Sequence, residues 1–300
     1  LIEQILESSS PLERVTIFTP LGIRFWDPVQ DAQVRDGLIV TAYPEGTHRN
    51  GTRAFRTLSG VYAFRGLSGL HDVEYPDDGF PDASPPVAAR FIIQVFDERR
   101  RFLPVVFGAD LPYYGVYPTN LPLSPPGDGL PGFYLFSAPT RPGTPALAVV
   151  RAQLVERVDA VARRPAAHAV LEVEVAGGRV WYGVADERGS VAVLFPYPTF
   201  TIATGLASPV ALPPTPPPQT WDLHVRVRYD PAALSFSNGF QIPDLHSVFD
   251  QSPGDLWSTA VAQPGQPISQ MSAELIFGRE LVMRTDGGST LLVSSAPSPP

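Results

Sequence analysis

Short apolar runs alternate with polar punctuation along nearly the whole chain. "GIRFWDP", "GLIVTAYP", "AFRTL" and "GVYAFRGL" follow one another from Val15 onward, each ended by Gly, Pro, Asp or Asn. Runs of this length with such boundaries predict β-strands. "ARFIIQVFDERRRFLPVVF" predicts a hairpin: Phe91, Ile93 and Val95 alternate on one arm, Phe102, Val105 and Phe107 lie on the other, and Asp97–Arg100 turn between them. "WDLHVRVRYDP" alternates too, with Trp221, Leu223, Val225, Val227 and Tyr229 on one face and Asp222, His224, Arg226 and Arg228 on the other. "SAELIFGRELVMRT" predicts a second hairpin turning at Gly278, and "GSTLLVSS" a last strand. The stretch from Asn238 to Ser269 reads largely as loop. Helical spacing occurs only at the start, where Ile2, Ile5 and Leu6 predict a short N-terminal helix that either packs on its own domain or docks to a partner.

One strand pattern occurs twice. In "RGSVAVLFPYP" a glycine follows a short polar turn and opens an apolar strand, and "LSGVYAF" repeats the arrangement, with Gly60 in the place of Gly189. Upstream of each glycine lies a strand, an acidic residue (Asp27 or Glu156), a polar linker and another strand. The two glycines are about one β-sandwich apart. A turn needing positive φ before a buried strand accounts for glycine at both places.

The expected fold is therefore all-β, with two or three immunoglobulin-like or transthyretin-like β-sandwich domains joined by Pro-rich linkers. Residues 1–14 form a helical docking segment, 15–140 a first sandwich and 141–212 a second, repeat-like one. A polyproline linker follows at 213–220. Residues 221–300 form a C-terminal β region, either independent or completing one of the sandwiches.

Composition narrows the functions. The chain has 300 residues, 44% of them apolar, enough for more than one core. Its net charge is −8 and all 22 basic residues are arginine. Such a chain offers no broad basic surface, so nucleic acid is not an expected partner. Without cysteine, disulfides and thiolate chemistry are excluded. No run reaches the roughly 18 apolar residues of a membrane helix, and no signal peptide is visible. Membrane insertion is not expected.

Candidate chemistry is sparse. The five histidines show no HExxH and no i, i+4 metal spacing, and each reads as a surface residue. The loop with His71, Asp72, Glu74, Asp77, Asp78 and Asp82 has oxygen ligands for calcium but lacks EF-hand spacing. Neither a nucleophile elbow nor a phosphate loop occurs, so no catalytic residue, cofactor or metal ligand is assigned. Arg99, Arg100 and Arg101 cluster at a hairpin tip, either as solvated turn charge or as a patch for an acidic neighbour. Trp181, Tyr182, Trp221 and Trp257 are either core aromatics or a glycan platform. The candidate interface residues are Ile2, Ile5, Leu6, Arg99, Arg100, Arg101 and Trp257.

Asp186, Glu187, Arg188 and Gly189, with the strand after them, resemble the D-x-x-G turn of transthyretin-like and carboxypeptidase-regulatory-like β-sandwiches, which implies a scaffold domain without catalytic residues. "RFLPVVFGADLP", "FYLFSAPTRP", "AAHAVLEVEV", "YGVADERGSVAVLFPYP", "WDLHVRVRY" and "FGRELVMRT" together resemble structural components of bacterial phage-tail-like contractile injection systems, from about Leu21 to Ser294. That resemblance implies a non-enzymatic subunit in the baseplate, spike, cap or an accessory position. It also implies neighbouring subunits as partners in a symmetric oligomer. Assembly is then expected in the cytoplasm, with release in an extracellular particle as a further implication. The alternatives are an adhesin or carbohydrate-binding sandwich protein, and a hydrolase with an unrecognised site.

Overall fold

The computed structural model describes residues 19–74, 89–111, 132–157, 162–175, 178–198, 219–258 and 267–295. The predicted N-terminal helix with Ile2, Ile5 and Leu6, and the prolines at 213–218, lie outside these residues. The chain is all-β. Its two short helices, His71–Glu74 and Leu245–Phe249, are the exceptions among the described residues.

The sequence repeat is a structural repeat, and the strand registers prove it residue by residue. Leu21 pairs with Phe64 in an antiparallel ladder, as Val150 pairs with Val193. Gly22 with Ala63 and Ile23 with Tyr62 likewise correspond to Arg151 with Ala192 and Ala152 with Val191. The offset between these pairs is the same as that between Gly60 and Gly189, both of which have φ of +79°. The two turns close in the same way. Asp186 accepts the Gly189 N–H on its carbonyl at 2.9 Å and the Ser190 N–H on Oδ1 at 2.8 Å. Thr57 accepts the Gly60 N–H on its carbonyl at 3.0 Å and the Val61 N–H on Oγ1 at 3.0 Å. Thr57 thus stands where the second copy has Asp186. The hydroxyl does the carboxylate's work as acceptor.

Each copy ends by laying its last strand parallel to its first. Phe133–Tyr134 pairs with Phe25–Trp26, and Leu291–Leu292 pairs with Leu154–Val155, the same positions of the two first strands. The acid at the end of that strand is buried in both copies, Asp27 in one and Glu156 in the other. Its partners differ. Asp27 takes a bidentate pair from Arg141, at 2.6 and 3.2 Å. Glu156 takes the Tyr229 hydroxyl at 2.7 Å and the Arg164 guanidinium. Burial and then the neighbouring Glu156 carboxylate push the Tyr229 phenol well above its ordinary pKa.

Two apolar cores result. The first packs the sheet Thr52–Arg53, Leu38–Pro44, Ala89–Asp97, Val105–Leu111 against the strands around Phe25 and Tyr62. Its hairpin register matches the sequence expectation: Val95 opposes Val105, and Ile93 opposes Phe107. Phe107 stacks on Phe133 with ring centroids 4.0 Å apart. The second core draws on Leu147–Arg157, Val170–Val175, Ser190–Pro196 and Thr220–Arg228, joined by Leu256, Leu275, Met283 and Val293. The strand Thr220–Arg228 alternates as predicted, with Leu223, Val225, Val227 and Tyr229 buried.

Two local expectations are corrected. The turn at Gly278 exists, with φ of +73°, but its arms do not form a hairpin. Met271–Ile276 pairs with Thr220–Val225, whereas Leu281–Met283 pairs parallel to Val150–Ala152. The turn is a corner between two faces, because each arm finds a longer central strand to complete. The stretch read as loop from Asn238 onward also contains the helix Leu245–Phe249 and the strand Pro253–Trp257. The helix is too short to show an apolar period, and it is held by its cap.

Candidate functional site

A groove of about 570 Å³ lies at the junction of the two copies. Its back is the helix Leu245–Phe249 and the segment before it. Asp244 holds this segment in place. Its Oδ1 accepts the His246 N–H at 2.9 Å as an N-cap, and its Oδ2 accepts the Gly108 N–H of the first sandwich's edge strand, also at 2.9 Å. The cap lets Leu245, Val248 and Phe249 enter the first core, where Phe249 lies 5.1 Å from Phe136 by ring centroid. From the second copy Val170 and Val184 join that core. The junction is therefore packed apolar contact, reinforced on its other side by Val29 against Val149, Ala192 and Leu194.

Tyr43 and Phe96 of the first sandwich line the groove, with Tyr43 set edge-on to Phe240 at 5.4 Å. The second copy contributes His168 and the turn residues Asp186 and Glu187. His168 departs from the surface role expected of the histidines. It is half-buried in a left-handed conformation, with φ of +60°. Burial pushes its pKa down against the pull of Glu187 and Asp186, so the ring is neutral near pH 7. The rim is accordingly acidic, and among the described residues no arginine lines the groove.

The Asp244 carboxyl sits below its ordinary range. Burial opposes this, and the hydrogen bonds and charge of His246 together with the Gly108 N–H outweigh it. Asp97 and Glu156 are lowered in the same way by arginine partners. A lowered folded-state pKa contributes stability above the unfolded value, and that contribution disappears as pH falls through the folded value. Melting temperature should therefore drop steeply below about pH 4. An Asp244→Ala variant should be less stable than the parent at pH 7 by about 1 kcal/mol of lost capping, with the gap narrowing at pH 3, where the parent's carboxylate is itself becoming protonated. Thermal melts at pH 7, 4 and 3 check this.

The candidate interface residues are scattered. Arg99 pairs with Asp36 at 2.8 Å, and Arg101 pairs with Asp97 at 2.9 Å and donates to the Asp36 carbonyl. Two of the three clustered arginines thus meet acceptors in their own chain, while Arg100 holds the turn with φ of +55°. Trp257 donates to Ser294 Oγ at 3.2 Å beneath the Arg157 guanidinium, 4.2 Å from its ring. Ile2, Ile5 and Leu6 lie outside the described residues.

The suggested aromatic platform is not one surface. Trp181 stacks on Phe195 and Tyr182 meets Phe249, so each serves a different core. Tyr197, Trp221 and Phe277 do gather, within 4.8 to 6.4 Å of one another. The calcium loop falls largely outside the described residues. Its Glu74 is buried and accepts the Gly66 and Leu67 N–H groups at 2.9 and 3.2 Å, a structural use. Among the described residues no cluster of three or more His, Asp or Glu converges as a metal site. Nor is any helix there long and apolar enough to cross a membrane.

No family model matches the chain, and no curated protein matches it. Among solved structures, two similar chains are the following. The TIE protein of Bacillus anthracis aligns over 85% of this chain at 7% identity and a TM-score of 0.20. The chain spans 43% of that protein's length. The C-terminal fragment of the pilus adhesin SpaC from Lactobacillus rhamnosus GG aligns over 91% of this chain and 96% of its own, at 10% identity and a TM-score of 0.17.

Proposed function

We propose that the chain is a non-enzymatic structural subunit of a phage-tail-like contractile injection apparatus. The observation that carries this reading is the junction. Val170, Val184 and the Leu245–Phe249 helix enter the first sandwich's core, and the buried Arg141–Asp27 pair fixes the connector beside it. Two sandwiches so joined move as one block, as a part that carries load between neighbours must. The acidic, lysine-free surface and the resemblance along the chain point the same way, toward neighbouring subunits as partners.

The experiment is purification of contractile particles from cells making a tagged chain, followed by electron microscopy. Tag density at one symmetric position on sheath-and-tube particles is the expected result. Particles that assemble complete and active without the chain, together with its absence from them, overturn the reading. An adhesin is the second reading, favoured by the Tyr197–Trp221–Phe277 group, whose Phe277 is 47% exposed. It predicts glycan binding that a Phe277→Ala variant loses.

A further inference from the structure

The two equivalent turns carry opposite surface chemistry. In the second copy the tip residue is Glu187, on the rim of the junction groove. In the first copy the same position is Leu58, fully exposed, and Phe55 beside it is 37% exposed. The turn that presents Leu58 is rigid, closed by the two Thr57 bonds and by the Gln33 side-chain amide donating to the Ser59 carbonyl at 3.1 Å. Arginines surround it. Arg35 adjoins Gly60, Arg56 donates to the Arg35 carbonyl at 3.1 Å, and the Arg65 guanidinium sits 4.7 Å over the Phe55 ring. All three are exposed, and among the described residues none has a carboxylate partner.

This is an apolar knob ringed by positive charge. The groove is its complement, with apolar walls at Tyr43, Phe96, Phe240 and Ile242 and a carboxylate rim at Asp186 and Glu187. Asp186 is fixed in place because its Oδ1 accepts the Arg188 and Ser190 N–H groups. We propose that the Leu58 turn of one copy docks in the junction groove of a second copy, with Leu58 against the aromatic wall and Arg35 and Arg56 facing Asp186 and Glu187. Complementary charge and shape on one chain identify the occupant as another copy of that chain. Knob and groove are different surfaces, so the contact is heterologous. It closes into a ring if the rotation per subunit divides a full turn, and otherwise extends as a helix. The contact deepens the structural-subunit reading and rests on it.

Sedimentation velocity of the full chain, from micromolar to about 0.5 mM and at low and high salt, tests it. The expected result is self-association that weakens with salt. Leu58→Asp should weaken it at least tenfold without changing the melting temperature, because Leu58 makes no packing contact to lose. Arg56→Glu and Glu187→Arg should each abolish it alone by placing like charges together. An equimolar mixture of the two should associate again, since every knob then finds a groove of opposite sign. A parent chain monomeric across the range overturns the proposal, as does association that Leu58→Asp leaves intact. If the docking fails while the chain still co-purifies with contractile particles, the subunit reading survives. If the chain is absent from the particles, that reading fails whatever the sedimentation result.

Discussion

Arg141→Ala should lower the melting temperature by roughly 10 °C and split a single calorimetric transition into two. Arg141 and Asp27 are both almost wholly buried, with side chains 8% and 6% exposed, and their two bonds are the main neutralisation of the Asp27 carboxylate. Removing the guanidinium leaves a buried charge without its partner, a loss of about 3–5 kcal/mol. In a domain of this size each kcal/mol moves the midpoint by about 2–4 °C. The split follows from where Arg141 sits. Its side chain also donates to Ser137 Oγ at 3.2 Å and so pins the first sandwich to residue 141, whose backbone carbonyl accepts from Arg151 at 2.8 Å on the second sandwich's first strand. Losing the side chain frees this segment from the first sandwich while its bond to the second remains. An Asp27→Asn/Arg141→Met double variant should recover much of the loss. The amide oxygen can still accept the Val29 N–H, as Oδ1 does at 3.0 Å, and no charge remains to be buried. If the single variant melts within 2 °C of the parent, the buried pair is not what holds the junction.

Asp27 also marks how far sequence reasoning reaches. Its equivalence to Glu156 is visible in the chain, because both follow an apolar strand and precede a polar linker. Their partners are not. Arg141 and Tyr229 reach their acids through the tertiary fold, and Arg164 faces Glu156 across a short hairpin whose register its polar residues do not announce. The same divide runs through the rest. The repeated turn, the Ala89–Leu111 hairpin and the alternation of Thr220–Arg228 are local patterns, and all three are present in the fold. The parallel return of Phe133–Tyr134 to Phe25–Trp26 and the corner at Gly278 are decided by which long strand lies open to each arm. Periodicity within an arm carries no such information. The groove was invisible for the same reason. Tyr43, Glu187 and Phe240 come from three distant segments, and the short helix that sets its back shows itself only in the Asp244 cap. A signal for half the knob was present: in copies built alike, Leu58 occupies a turn tip where its counterpart is an acid.

Gly189→Ala and Gly60→Ala should differ sharply in cost although the two glycines share a backbone conformation. At φ of +79° either alanine pays about 1–2 kcal/mol for a left-handed residue with a Cβ. Surroundings decide the rest. A Cβ on Gly189 would lie 2.2 Å from the Leu154 carbonyl oxygen and 3.2 Å from the Ala166 nitrogen, both backbone atoms bonded into the second sandwich. The Leu154 N–H donates to the Gly189 carbonyl at 2.7 Å and the Ala166 N–H donates to the Leu154 carbonyl at 3.1 Å, so relieving the clash breaks the ladder there. A Cβ on Gly60 would meet side-chain atoms only, Arg35 Cγ at 2.8 Å and Cβ at 3.1 Å and Gln33 Nε2 at 3.0 Å, on residues that are exposed or half-exposed and can shift without breaking a strand ladder. Gly189→Ala is therefore expected to cost more than about 4 kcal/mol and to yield little folded protein. Gly60→Ala should fold, losing the conformational term and a smaller cost for moving Arg35 and Gln33. Urea denaturation of the two variants beside the parent measures the difference. Equal losses would mean that the turn's φ alone, and not its close approach to the first strand, requires glycine in the second copy.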